Sequence, residues 1–235
     1  MSCSSSDDDG DNNQGETQET LLLKKVFKDG VLIREYEYYA DNKLKSQVGL
    51  LVEDQILEVR YEYVADTIVE SYYNLGETTS FAIYKSYEIN NTTSKRDYYN
   101  NENLTLYKIY TFDNNQCGAI LYETFNSSGS LIDAISFSYT DENCSTNSIH
   151  EGFGYSNDSS LNDNKKASYE SINSPINRQE ILHNILEYRI WDNDDQLINS
   201  RSSNSEFVYN SDDYPTKETR TYLDGSSLIY TFEYY

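Results

Sequence analysis

The side chains with the widest chemical reach in this 235-residue chain are three cysteines, two histidines, one tryptophan and forty carboxylates. A helical zinc site needs nitrogen or sulfur ligands one turn apart. His150 and His183 stand 33 residues apart, with no other His or Cys four positions away, and they read as surface or packing residues. Asp7-x-Asp9-x-Asp11 begins like a calcium loop, but Asn12 stands where the sharp turn requires Gly and Gln18 where a bidentate Glu belongs. Asp192-Asn193-Asp194-Asp195 reads first as a solvated tight turn. No Gly-x-Ser-x-Gly, Walker or dinucleotide signature occurs, and Gly152-x-Gly154 lacks both the third glycine and a preceding strand. Among so many carboxylates, spacing singles out no acid/base pair. These residues predict no catalytic centre, no bound metal and no cofactor. Trp191 is the exception, since an indole at a wet surface can stack on a ligand such as a sugar ring.

Composition narrows the partners. A formal net charge of -22 excludes nucleic acid, whose phosphates are bound by an excess of Lys and Arg. Tyr supplies 24 of the aromatic residues against 8 Phe, which suits a half-wet sheet where the ring packs and the hydroxyl stays hydrated. Only 2 Pro occur, in keeping with long uninterrupted ladders. A mean hydropathy of -0.76 argues against a thick apolar core. It fits either a sheet wet on both faces or a barrel with a polar interior.

The positioning elements are strands. Alternation and turn signals predict strands over 21–28, 31–39, 43–52, 55–64, 67–73, 78–89, 93–99, 104–112, 118–125 and 130–140. Asp29-Gly30 is a strong hairpin signal, because a type I′ turn needs positive φ at both central positions. A cassette of two aromatics and a turn with Asp or Asn recurs: Tyr36-x-Tyr38, Tyr61-x-Tyr63, Tyr87-x-Ile89, Tyr110-x-Phe112, Phe137-x-Tyr139, Phe207-x-Tyr209 and Tyr230-x-Phe232. The first aromatics are 25, 26, 23 and 27 residues apart, then a long gap intervenes, then a step of 23. A fixed period marks a repeat architecture, here about two strands and two turns per unit. The fold class is therefore all-β: one antiparallel up-and-down meander over 21–235, forming a large curved sheet or a barrel.

Residues 141–187 break the rhythm as an irregular excursion. An irregular strand near 167–172 and a short helix from Ser174-Pro175 to about residue 186 are expected there. A strand is the rival reading for 174–188, because Tyr188-Arg189-Ile190-Trp191-Asp192-Asn193 looks like a worn copy of the cassette. Strands then resume at 196–202, 206–210, 217–223 and 228–235. Residues 4–20 carry no aliphatic or aromatic side chain and read as a flexible tether, so 1–20 falls outside the domain.

Two resemblances follow from these motifs. Cys3-Ser4-Ser5-Ser6-Asp7-Asp8-Asp9 resembles the mature start of a Bacteroidetes lipoprotein. That likeness implies a lipid on Cys3 and an export signal in Ser4, Ser5, Ser6, Asp7, Asp8 and Asp9, so that the domain is anchored in the outer membrane and displayed on the cell surface. One acyl chain binds membranes only marginally, so several are needed. The Tyr-x-Tyr-x-x-Asp repeats over 21–140 and 188–235 resemble the tyrosine-aspartate repeats of Rhs-type proteins. They are closer to Bacteroidetes lipoproteins with a porin-like domain of unknown function. That family has no assigned activity, so the resemblance implies fold and location only. Asp66-Thr67-Ile68 matches the Asp-Thr-aliphatic sequence of Bacteroidetes O-glycosylation, which makes Thr67 an acceptor candidate.

An exported protein permits a disulfide. Cys117 and Cys144 each lie seven residues after the first aromatic of their cassette, in equivalent turns. In a flat meander those turns are roughly 9–10 Å apart, beyond the about 7 Å a bridge allows, unless twist or a displaced Cys144 closes the gap. The pairing stays open at this stage. Two functions compete: a non-enzymatic surface module, structural or binding a glycan or protein ligand, and a glycan hydrolase with its site in 141–187. A membrane-spanning barrel would need a continuous apolar band about 25 Å tall, which the strands do not offer, so a soluble sheet or barrel is expected.

Overall fold

The computed structural model describes residues 21–52, 55–100, 102–112, 117–151, 157–167 and 183–235. Sixteen strands among them close into a barrel in which every strand pairs with its chain neighbours and the last returns to the first. They are β1 (Leu23–Lys28), β2 (Val31–Tyr38), β3 (Leu44–Val52), β4 (Gln55–Val64), β5 (Thr67–Asn74), β6 (Ala82–Asn90), β7 (Thr93–Asn100), β8 (Asn103–Phe112), β9 (Ala119–Asn126), β10 (Leu131–Tyr139), β11 (Thr146–Glu151), β12 (Asn157–Asn162), β13 (Ile185–Trp191), β14 (Ser203–Tyr209), β15 (Pro215–Tyr222) and β16 (Ser227–Tyr234). All pairings are antiparallel, so the curved-sheet-or-barrel alternative resolves to a closed barrel.

Closure is fixed at both ends of the β1–β16 seam. Ile229 N–H donates to Asp29 Oδ1 at 2.9 Å, from a turn in which Asp29 and Gly30 have φ of 50° and 79°. At the other end Tyr235 N–H donates to the Leu22 carbonyl at 2.9 Å, and the Tyr235 hydroxyl to the Tyr36 carbonyl at 3.0 Å. The chain enters and leaves at this second end, the terminal rim; the Asp29 turn lies on the far rim. Gly49 is required where β2 and β3 approach closely, since a Cβ there would sit 2.1 Å from the Ile33 carbonyl oxygen.

Alternation sets which side chains point inward. Tyr36, Val59, Tyr61 and Phe232 lie in one buried cluster with Leu23, Val26 and Leu44, and register carries that face around the barrel. The cassettes explain themselves at the terminal rim. Tyr38, Tyr63, Tyr139 and Tyr234 stand at or near the ends of even-numbered strands. Each donates its hydroxyl to the carbonyl of the first residue of the preceding strand, respectively Leu23, Leu44, Ala119 and Pro215, at 2.7, 3.0, 2.9 and 2.7 Å. The second aromatic thus latches the open end of its own hairpin. The following Asp or Asn folds the turn: Asp141 Oδ1 accepts from Asn143 and Ser145 N–H, and Asn210 Oδ1 from Asp212 and Tyr214 N–H.

Two expectations need correction. Residues 146–151 and 157–162 are strands β11 and β12, not irregular chain. Asn162 supplies their latch, donating its side-chain amide to the carbonyls of Asn143 and Cys144 at 3.1 and 3.0 Å. Residues 196–202 form a connection whose only bridge among the described residues is Trp191 with Leu197, because Gln196 N–H closes a turn onto Asp192 Oδ1. Tyr87 points outward, since Ser86 is the residue that pairs with inward-facing Ile68 and Arg96. Most of the expected 174–186 helix and the strand near 167–172 lie outside the described residues, while Ile185 and Leu186 already belong to β13.

Tyr63→Phe removes one latch hydroxyl while keeping the ring. It should lower unfolding free energy by roughly 0.5–1.5 kcal/mol. Tyr98→Phe, whose hydroxyl bonds no described residue, should lie near zero. Urea unfolding midpoints compare the two.

Candidate functional site

The barrel interior carries charge where an apolar core would be expected. Glu70 on β5, with its side chain 6% exposed, faces Arg96 on β7 across the inward face of β6, with nitrogen–oxygen distances of 2.8 and 2.9 Å. Tyr72 donates to Glu70 at 3.4 Å, and the Arg96 guanidinium lies 4.3 Å from the Tyr84 ring centroid. A second interior pair repeats the scheme: Arg220 donates to Glu218 at 2.7 Å, Ser205 donates to the same oxygen at 2.7 Å, and Arg220 lies over Tyr230.

Burial pushes the Glu70 carboxyl up, and the facing Arg96 offsets this only in part. For Arg96 burial works in the opposite sense and is the largest single influence, but Glu70 together with Tyr72, Tyr110 and Tyr84 outweighs it and raises the guanidinium. Burial also raises the hydroxyls of Tyr61, Tyr72, Tyr84, Tyr110 and Tyr122, and takes Tyr63 to about 12.

A cavity of about 440 Å³ opens toward the terminal rim above this network, within the size range of small-molecule sites. Ile68, Ser86, Ser94, Arg96, Tyr110 and Phe112 line it. It forms where β6 has Ser86 and Glu88 at positions that most other even strands fill with aromatics, and where β8 ends in Phe112, which has no hydroxyl to latch. No arrangement of spacing in the sequence marks Glu70 or Arg96, because Glu70 is a lone charge on β5 and Arg96 sits between Lys95 and Asp97 on β7; only the barrel brings them together.

The excursion has its own contacts. Inward-facing Ser148, His150 and Asp158 meet, with Asp158 Oδ2 at 2.5 Å and Ser148 Oγ at 3.1 Å from the same ring nitrogen, His150 Nε2. A nucleophile–base–carboxylate relay needs the two ring nitrogens to serve different partners, so these contacts are not such a relay. At the terminal rim Asp163 accepts from Lys165 and Asn184 N–H and from the Tyr209 hydroxyl, while Lys165 pairs with Asp213 at 2.7 Å and His183 contacts the Lys165 carbonyl.

The other residues singled out by sequence are placed as follows. Cys117 and Cys144 form a disulfide with Cα atoms 5.2 Å apart, and Cys144 occupies a turn position with φ of 58°. The bridge spans the β9–β10 hairpin beside the Tyr139 latch. The flat-sheet distance overestimates the gap because Cys117 lies on the β9 side of its turn and Cys144 follows β10, and β9 and β10 are adjacent strands. Asp192 Oδ1 accepts from Asp194 and Gln196 N–H, as a tight turn requires. No group of three or more His, Cys, Asp or Glu among the described residues is placed to hold a metal. Thr67 begins β5 at the terminal rim, half-buried, and Trp191 ends β13 on the outer wall. Cys3 and residues Ser4 to Asp9 lie outside the described residues.

Two outcomes test the interior network. Arg96→Met strands a buried carboxylate and should cost roughly 3–5 kcal/mol, with Arg96→Met/Glu70→Leu recovering part of the loss; denaturant titration of both reads this. The buried tyrosines are acids with raised folded-state values, so their contribution to stability is complete below pH 10 and is lost as pH rises through and beyond 12. Ultraviolet titration should show the buried tyrosines ionising only as circular dichroism reports unfolding.

No family model matches the chain, and no curated protein does. Among solved structures it is similar to a porin-like protein from Bacteroides uniformis, with a TM-score of 0.57 at 9% identity, covering 86% of this chain and 90% of that one. A porin-like protein from Bacteroides vulgatus matches at a TM-score of 0.40 and 12% identity, over 92% of this chain and 99% of that one. At such identity the first likeness establishes the porin-like barrel fold, and the second adds no weight.

Proposed function

We propose that this chain is a non-enzymatic lipoprotein module of the outer membrane, anchored by a lipid on Cys3 and displayed at the cell surface, where its barrel stands in water and binds an extracellular glycan or protein. In this reading Ser4 to Asp9 direct export, and Thr67 is an O-glycan acceptor. The observation that carries the water-facing part is the outer wall. Lys25–Glu35, Glu58–Arg60 and Glu187–Arg189 pair there at 3.3, 2.6 and 3.1 Å, and Arg60 and Arg189 sit near the middle of their strands. A cation at the bilayer midplane costs about 2–4 kcal/mol. Strands β1, β11 and β12 have 6 residues each, against the about 9–11 that cross a membrane. Inside, the ion pairs and stacked tyrosines occupy space a conducting pore would leave open.

The chain, produced behind a lipoprotein signal peptide in a Bacteroides host and fed an alkyne fatty acid, tests the proposal. The expected result is label on the wild type and none on Cys3→Ala, with digestion by protease added to intact cells. Label that persists in Cys3→Ala, or channel conductance of the purified protein in a planar bilayer, would refute it.

A further inference from the structure

Strands β11 and β12 break local preference on both faces. Thr146–Glu151 and Asn157–Asn162 are rich in Asn, Ser and Asp, residues that sheets disfavour. Positions that contradict local propensity and still fold are where function is expected. The inward residues are accounted for: Ser148, His150 and Asp158 bond one another, and Thr146 bonds Ser160. The outward ones are not. The side-chain amides of Asn147 and Asn157 bond no described residue.

Register places these groups side by side. Ile149 pairs with Asn157, and Asn157 with Trp191, forming one row across three strands, with Asn147 two residues along β11. Asn157 and Trp191 are half-buried, while Ile149 is 62% exposed. With Asp195 these residues line a shallow groove of about 400 Å³. The outward positions Ser136, Ser138, Asn147 and Asn157 beside it are uncharged, and the nearest outward ion pair, Glu187–Arg189, lies along β13, where Arg189 pairs in register with Ser159. On a chain with a net charge of -22, a row of Asn and Ser side chains ending in an indole stands out, with the carboxylates Asp158 and Asp195 also lining the groove.

We infer that this groove binds a neutral glycan, with one sugar ring stacked on Trp191 and neighbouring hydroxyls bonded by the amides of Asn147 and Asn157. An indole face offers the apolar platform, and a side-chain amide both donates to and accepts from vicinal hydroxyls. Asp195 at the rim repels carboxylated or sulfated sugars, so the ligand class is uncharged. This rests on the non-enzymatic surface-binding reading and names its ligand class and site.

Trp191 is the single tryptophan of the chain, so its fluorescence reports the groove directly. The full-length protein is titrated with soluble neutral β-glucan, galactomannan and xylan, and with polygalacturonate as the charged control. The inference expects at least one neutral polymer to shift Trp191 emission and to retard the protein in an affinity gel, with no effect of polygalacturonate. Trp191→Ala should weaken retardation by about tenfold or more, and Asn147→Ala/Asn157→Ala should weaken it while an unchanged melting curve shows the fold intact. Trp191→Phe should retain part of the binding. Retardation unaffected by Trp191→Ala, or no emission change with any neutral polymer, overturns the inference and leaves the surface-module reading standing. Shortening of the polymer during incubation overturns that reading instead.

Discussion

The bond from a rim tyrosine hydroxyl to the first carbonyl of the preceding strand is the interaction on which this architecture depends. A two-strand hairpin is tied by its turn at one end only, and isolated hairpins are marginal in water. Tyr38, Tyr63, Tyr139 and Tyr234 tie the other end, and the rings of Tyr38, Tyr63 and Tyr234 also pack against the buried cluster. Repeating that unit yields hairpins of closed geometry, and sixteen strands of them meet at the β1–β16 seam. The Cys117–Cys144 bridge doubles the latch at β9–β10, and Asn162 replaces it at β11–β12. At β14 the Tyr209 hydroxyl goes to the Asp163 carboxylate instead.

A polar interior follows from using tyrosine for this purpose. Inward tyrosines bring hydroxyls that need partners, and the buried pairs Glu70–Arg96 and Glu218–Arg220 are set among aromatic rings that pack against the guanidinium faces. Where β6 has Ser86 in place of an aromatic and β8 ends in Phe112, which lacks a hydroxyl, the rim cavity appears. Structure and vulnerability therefore share one cause: the same residues that close the barrel decide where it can open.

Much of the first ten strands was legible because one face is buried and alternation is regular. The turn at Asp29-Gly30 and the strand Gln55–Val64 appear where the pattern places them. The chain from 146 to 162 was not legible, since its inward residues are Ser, His, Asp and Asn, whose burial is permitted only by hydrogen bonds that sequence does not display. Residues 196–202 mimic a strand through Leu197 and Ile198, yet the Asp192 turn claims them. Tyr87 is the first aromatic of its cassette yet points outward, a one-residue offset that no spacing marks, and in a sheet one residue reverses the face. Of the candidate sites, Trp191 was visible as a lone indole, while its amide neighbours become neighbours only through the register of β11, β12 and β13. Closure itself leaves no local mark, because it depends on residues 200 positions apart, Asp29 and Ile229.

That closure is the central claim, and native-state hydrogen exchange addresses it most directly. In a closed barrel β1 and β16 are interior members of the ladder, so their paired amides should exchange as slowly as those of β8, with opening free energies near the global value. Rapid exchange confined to β1 and β16, as expected for the two free edges of an open sheet, would contradict the closed barrel.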